Sequence, residues 1–475
     1  MALLAATNVG CEVRRATAPA RGIGYNSTMI RKIVLPVLIV VAAIVGAGVA
    51  LRLQGSALPG LPLPRLPESL DAAVLAQDST AVADLAMKRC RLLVAAGQRK
   101  CYEDFLLDLV EKGQVSLAIG ALTLLGQRED YIRRFGHDFA HVIGINAWKP
   151  GQDIGKVYAQ CSELFQSGCY HGVIQAVFAY QGTDSASVAA LCQSTPEINA
   201  SAWLRFQCVH GIGHGLVQTY TMNLPQALHG CDMLGNAWDS ESCYGGAFME
   251  FIVGGRGQSH HVHLPGAAKA DTGEHAGHDM EGKEHEHGAA PDSAWPAFKV
   301  RNPSDPLYPC TALGERYQRA CYQMQAGLVA EITGLDFKAI AQACDRAPER
   351  WRTWCYQGIG TYVSGVTVRV PERGIAECSL GDPKYQPWCF VGLVKNFVDV
   401  TANLDDGLAL CRRLLGTQSI AAACYVALGE QAAVLWPSME KRRAECARSE
   451  PGYVAACEYG AGLTLQKPAG YEPRS

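Results

Sequence analysis

No CxxC pair occurs among the 19 cysteines of this 475-residue chain, which removes the zinc-knuckle and thioredoxin-type readings that so many cysteines invite. Charge is scarce as well. Only 18% of residues are charged and the net charge is −3, so no basic face offers itself to nucleic acid. There is no CxxCH haem attachment, phosphate loop, dinucleotide fingerprint or Ser/His/Asp order, and no nucleophile stands out. From Asn302 to Leu463 the chain lacks histidine altogether. Cysteines without metal-ligand spacing point to a disulfide framework, and that requires export.

The N-terminal part supplies a route for export. Ile33 to Leu51 is a 19-residue run without a charge, long enough to cross a bilayer core as a helix. Arg14, Arg15, Arg21, Arg31 and Lys32 precede it, whereas Arg52 and Arg65 are the basic residues that follow closely. That asymmetry keeps residues 1–32 in the cytoplasm and sends the rest across the membrane, into the periplasm of a Gram-negative bacterium. Met29 also stands where a signal anchor could start, and Gly48-Val49-Ala50 offers a cleavage site if the run is instead a signal peptide. Residues 52–80 read as a Pro-rich linker, in which Gly55 to Pro67 is too broken by proline to be helical.

What the chain has in abundance is a repeat. Eighteen cysteines form nine consecutive pairs: Cys90 with Cys101, Cys161 with Cys169, Cys192 with Cys208, Cys231 with Cys243, Cys310 with Cys321, Cys344 with Cys355, Cys378 with Cys389, Cys411 with Cys424, and Cys446 with Cys457. Cys11 is left over, before the apolar run. Positions two past each second cysteine fall at 103, 171, 210, 245, 323, 357, 391, 426 and 459, a period of about 34 residues. The gap from 103 to 171 holds one more unit, centred on 137, in which Leu124 and Phe135 stand where the cysteines would be. There an apolar contact is expected to replace the covalent one. Glycine recurs after the second cysteine, as in Cys169-Tyr-His-Gly and Cys389-Phe-Val-Gly, and would let neighbouring helices approach closely.

A second marker agrees. Eight residues before the first cysteine stand Asp153, Asp184, Asn223, Asn302, Asp336, Asn403 and Ser438, with Ser116 in the same place before Leu124. All are helix N-cap types. Each unit therefore reads as a capped helix ending near the first cysteine, a turn, and a second helix starting near the second. The prediction is an all-α, right-handed solenoid of about ten αα-hairpins, most pinned by one disulfide. N-terminal repeats occupy 81–253, an insertion 254–297, C-terminal repeats 298–463 and a tail 464–475. Cys161-Ser-Glu-Leu-Phe-Gln-Ser-Gly-Cys169-Tyr-His-Gly resembles the disulfide-bridged hairpins of Sel1-like repeat proteins, above all the exported Helicobacter cysteine-rich proteins. The resemblance covers Ala81 to about Leu463 and implies fold and compartment; it departs in cysteine spacing, in the shorter period and in lacking the glycine-rich consensus between helices.

Function has to come from what the repeats carry. The 13 histidines lie mainly in two groups. His137 and His141 stand two and six past the notional second cysteine; His171 and Gln175 hold those places one repeat on, and His210 and His214 in the next. Residues i and i+4 share a helix face, and equivalent positions on stacked repeats share a face of the stack, so a ladder on three adjacent helices is expected. Imidazole is the usual nitrogen ligand of zinc, copper, iron and nickel, and the ladder reads as a site for one or two such ions with Gln175 in the register of a sixth ligand. A buried hydrogen-bonded ladder and a polar groove for a small molecule or peptide are the alternatives. His137-Asp-Phe-Ala-His141 also reads as HDxxH, a cousin of the zinc-hydrolase HExxH, with Asp138 as general base; the aspartate is one methylene short for that. Glu103, Asp138 and Glu250 are the carboxylates near the register, and Met249 occupies the sixth-position slot of the following repeat.

The second group, His260, His261, His263, His275, His278, His285 and His287, lies in the insertion among Gly, Ala, Glu and Asp, without an apolar period. It reads as a flexible loop that captures Cu, Ni or Zn loosely, or as a solvated charged loop. The C-terminal repeats carry Gln323, Gln357, Val391, Val426 and Tyr459 at the histidine position, and Trp351, Trp354, Trp388 and Trp436 read as packing residues or as contacts for an envelope protein or peptide. Two functions follow: a membrane-anchored metal-binding protein, catalytic or not, or an extracytoplasmic scaffold whose partners carry its role.

Overall fold

Eight of the nine second cysteines are followed by a residue that the fold must bury: Tyr102, Tyr170, Val209, Tyr244, Tyr322, Tyr356, Phe390 and Tyr425 are all at most 6% exposed. The computed structural model describes residues 69–181, 185–253, 298–302, 304–366 and 370–474, and among them it is all helical, without a strand. The apolar run 33–51, the segment 1–32 and the histidine-rich insertion 254–297 lie outside the described residues. No described helix is long and apolar enough to cross a membrane. Among the described residues the helices begin with Leu70–Leu75, inside the stretch read as linker, and Ser79–Cys90, which starts at its end.

Ten helices occupy the second place in their hairpins: α1 (Ala95–Glu111), α2 (Asp130–Ala147), α3 (Gly168–Gln181), α4 (Ala202–Thr219), α5 (Ala237–Val253), α6 (Glu315–Met324), α7 (Glu349–Val366), α8 (Gln386–Asp399), α9 (Gln418–Leu435) and α10 (Val454–Gly460). Each packs against the next in chain order, and α4 also touches α9.

All nine expected disulfides are formed, with Cα atoms 5.4–5.9 Å apart. Cys90 bonds to Cys101, Cys161 to Cys169, Cys192 to Cys208, Cys231 to Cys243 and Cys310 to Cys321. Cys344 bonds to Cys355, Cys378 to Cys389, Cys411 to Cys424 and Cys446 to Cys457. Closing 11 residues removes about 2–3 kcal/mol of chain entropy from the unfolded state, which suits a hairpin too small to hold its own core.

The place of the second cysteine in its helix corrects the sequence reading, which starts the helix near that residue. Cys101, Cys208, Cys243, Cys321, Cys355 and Cys424 each stand six residues past the first residue of their helices, and Cys389 and Cys457 stand three past. Only Cys169 lies next to the start, at the second residue of α3. In those six units most of the segment between paired cysteines is thus helix, and the bridge reaches the second turn of the second helix. A hydrogen bond doubles the clamp where the residue after the first cysteine is acidic: Tyr356 donates to Asp345 at 2.7 Å and Tyr244 donates to Asp232.

Asp153, Asn223, Asp336 and Ser438 cap their helices as expected, each accepting from a backbone N–H three residues on. Ser116 does not, because its helix, Val115–Arg128, starts one residue earlier. Asn302 organises a turn instead, accepting from the Ser304 amide, and Asn403 accepts from Asp405 N one residue ahead of the cap. Asp184 lies outside the described residues. In the cysteine-free unit, Leu124 and Phe135 are partly buried against the core. The wedge between its two helices comes from the next unit: the Phe165 ring fills the space that a Cβ on Gly126 or Gly136 would need.

Glycine sets the distance between second helices. A Cβ on Gly172 would strike the His141 carbonyl, and one on Gly246 the His210 carbonyl. Gly144 and Gly213 meet the Cys169 and Cys243 carbonyls in the same way. Without side chains at these contacts the backbones of α2 to α5 lie closer than larger residues permit, which brings the side chains beside them together.

Candidate metal centre

Close packing of α2, α3 and α4 converges the five ladder histidines. His141 and His214 are fully buried, His171 and His210 are 3% exposed, and His137 alone is part-exposed. The His171 ring stacks on that of His214 at 5.2 Å between centroids and lies 4.9 Å from that of His210 and 5.4 Å from that of His141. Two sets of three ligand atoms fall within 4.8 Å of one another, one from His137, His141 and His171, the other from His171, His210 and His214. His171 belongs to both.

Oxygen atoms tie down one nitrogen of each ring. His137 Nδ1 donates to the Phe165 carbonyl at 2.7 Å and His210 Nδ1 to the Ser242 carbonyl at 3.2 Å. His141 Nδ1 is 2.8 Å from Gln175 Oε1, His214 Nδ1 is 2.7 Å from Glu250 Oε2, and His171 Nε2 is 2.9 Å from Gln207 Oε1. An acceptor on one nitrogen places the proton there and leaves the other nitrogen with its lone pair, the form in which imidazole binds a metal. His171 Nδ1 and His214 Nε2, the atoms so prepared, are buried and make no hydrogen bond. Leaving a buried polar atom unsatisfied costs about 1–3 kcal/mol, a penalty that a bound cation removes.

Burial, and then the neighbouring imidazoles, hold His171 and His210 well below the usual histidine range. Both are therefore neutral at pH 7 and compete weakly for protons. Glu250 also accepts from Gln218 Nε2 at 3.1 Å, so a buried carboxylate stands behind His214 in the carboxylate–histidine arrangement that raises ligand basicity. Local backbone supports His137 as well: Phe165, Gln166 and Ser167 all have φ between 54° and 63°, and this left-handed turn carries the carbonyl that His137 meets.

The oxygen partners are where the sequence reading needs amending. Gln175, expected as a sixth ligand, turns its amide oxygen to His141 Nδ1 and acts behind the ring. In the following repeat the contact is made by Glu250, one residue past Met249, which is only part-buried. Asp138 is salt-bridged to Arg99 on α1 at 3.4 Å, and Glu103 lies 4.0 Å from the same arginine. Gln207, Ser242 and Phe165 carried no signal that a repeat alignment could register. The ladder partners do follow one rule: they lie 28 to 36 residues after their histidines, about one repeat on. His229 is exposed and stands near Asp232, apart from the cluster. The insertion histidines, His260 to His287, lie outside the described residues.

Nine disulfides on helical hairpins fit a cysteine-rich helical repeat protein from an oxidising, extracytoplasmic compartment. No protein-family model, curated protein or solved structure matches the chain.

Proposed function

We propose that this protein is a membrane-anchored, extracytoplasmic solenoid that holds a transition-metal ion through His171, His210 and His214, with His137, His141 and His171 as a second set whose outer member, His137, is part-exposed. The observation that carries the reading is the buried, acceptor-oriented triad itself, whose facing nitrogens on His171 and His214 have no hydrogen bond. A ladder kept for packing alone would gain by satisfying those nitrogens.

The donor set argues the class of ion. Three imidazoles without thiolate suit zinc, copper, nickel or ferrous iron rather than calcium or magnesium. Three protein ligands leave a coordination position for water or a small ligand, the arrangement of catalytic rather than structural zinc sites. Part-exposed His137 marks the side from which an ion reaches the buried triad, and the insertion histidines would raise its local concentration. The charge-free run at 33–51 supports tethering, and the disulfides support the compartment.

Metal content by mass spectrometry tests this on the full chain with the seven insertion histidines changed to serine. About one or two tightly held equivalents are expected, lost in the His171→Ala/His214→Ala variant. A protein that stays metal-free after incubation with Cu, Zn, Ni and Fe would refute the proposal.

A further inference from the structure

In the C-terminal repeats the chain's own last arginine lies on two tryptophans, each one residue before a second cysteine. After α10 the segment 464–474 has no helix, and Leu465 is 98% exposed. Only its last part is anchored. Tyr471 is 7% exposed, its ring 5.8 Å from that of Tyr459 and 6.5 Å from that of Trp388. Three residues on, the Arg474 guanidinium lies 3.4 Å over the Trp354 ring and 4.4 Å over the Trp388 ring, and donates to Gln357 Oε1.

The walls are chosen for a cation. Two indole faces attract it, and their effect grows as water is excluded. Glu430 supplies the negative charge, ion-paired with Lys395 at 2.6 Å, beside a cavity of about 360 Å³ that Trp354, Trp388, Glu430, Tyr471 and Arg474 all line. Burial draws the guanidinium down to about 10 against the pull of Glu430, so it remains charged at neutral pH. Gln357, Lys395, Glu430 and Tyr459 stand two or six residues past their second cysteines, the register of the histidine ladder. The strip that carries histidines in one half thus supplies polar groups around Arg474 in the other, and the two indoles come from the residue before each second cysteine. The occupant follows the last hairpin through a mostly exposed segment, and Tyr471 and Arg474 fix its end.

We propose that the Trp354/Trp388/Glu430 groove is a recognition site for an extended polypeptide bearing an aromatic residue and, three positions on, an arginine, and that residues 471–474 occupy it as a built-in competitor. The occupant in trans is a partner protein's segment of that chemistry. The proposal is independent of the metal reading.

A full-length Tyr471→Ser/Arg474→Ser variant, metal-free, is titrated with the synthetic peptide Gly-Tyr-Glu-Pro-Arg-Ser, residues 470–475, by calorimetry and tryptophan fluorescence, with circular dichroism to confirm folding. One-to-one binding is expected, at least about tenfold tighter than to the unaltered chain, whose tethered segment competes at an effective concentration near millimolar. Adding Trp354→Leu to the variant should abolish binding, as should a peptide with glutamate in place of arginine. The proposal is overturned if the folded variant shows no saturable binding, if the glutamate peptide binds equally, or if the unaltered chain binds as tightly as the variant.

Discussion

Glu250→Gln separates the roles of the histidine cluster more sharply than removing a histidine does. Glu250 is fully buried, accepts from His214 Nδ1 at 2.7 Å and from Gln218 Nε2 at 3.1 Å, and does not belong to either set of converging ligand atoms. Glutamine keeps the shape and one acceptor oxygen but removes the negative charge. In a metal centre that charge orients the His214 ring and balances the cation, and loss of such an outer partner typically weakens binding 10- to 100-fold, about 1.4–2.7 kcal/mol. In a metal-free ladder the same change removes a buried charge, which is close to neutral or mildly stabilising. The two readings thus predict different signs. Competition against a chromophoric chelator at pH 7.5 should show the 10- to 100-fold loss, while urea unfolding of the metal-free variant stays within about 1 kcal/mol of the parent. A metal affinity unchanged within threefold, or a metal-free protein destabilised by several kcal/mol, would refute the carboxylate's role behind the ligand.

Gly246→Val places a side chain against the His210 carbonyl, so it should cost at least about 1–3 kcal/mol and loosen metal retention together, seen by thermal unfolding and metal content. The pH dependence has a definite sign. His171 and His210 are held below their unfolded value by burial, so metal-free stability is fully present above about pH 6.5 and falls as pH drops, because the unfolded chain takes up the protons first. Two such groups give up to about 2.7 kcal/mol per pH unit, and a flat urea-midpoint profile from pH 7.5 to 5.5 would contradict their burial as neutral rings. Asp399 works in the opposite direction: burial raises it to about 6, so its folded form favours the proton and its contribution to stability is lost as pH rises from about 4 to 6; Asp399→Asn should steepen the acid loss. Cys344→Ala/Cys355→Ala should cost about 2–3 kcal/mol, measured by denaturant unfolding against the oxidised parent.

The hairpins were legible because a disulfide and a cap are local devices. Cys344 and Cys355 lie 11 residues apart, Asp336 caps the helix before them, and no long-range information is needed to pair them. Where the second helix begins was less legible, since a cysteine marks the bridge and not the first turn: Cys101, Cys208, Cys321 and Cys424 all sit two turns inside. The ladder was legible for a related reason: a repeat copies position, so equal offsets from successive cysteines reach equal places on successive helices. Register says less about atoms. Gln175 has the right position, yet its oxygen serves His141 rather than the facing side. One residue turns a helix by about 100°, and α5 presents Glu250 where equal phase would present Met249. Ser116 failed as a cap by a single residue, at the one unit with no cysteines to fix its phase. Phe165, Gln207 and Arg474 were illegible because each acts on a different repeat from its own, through a loop, a helix start or a segment beyond the last hairpin.

Both sites use places that the hairpin does not need for its own stability. The residue after eight of the nine second cysteines packs the core, and the glycines beside it set the helix spacing. Positions two and six past the cysteine vary along the chain: Val391 and Val426 join the core there, while elsewhere the same positions carry polar groups. They hold histidines on α2 to α4, and Gln357, Lys395, Glu430 and Tyr459 on α7 to α10. The change is one of composition along a continuous register, since each second helix packs on the next. The contact of α4, which bears His210 and His214, with α9, which bears Glu430, shows that distance in sequence is not distance in space here. A repeat chain that had merely lengthened its stack would have no reason to leave buried nitrogens unsatisfied in one half, or to stack its own arginine on two tryptophans in the other.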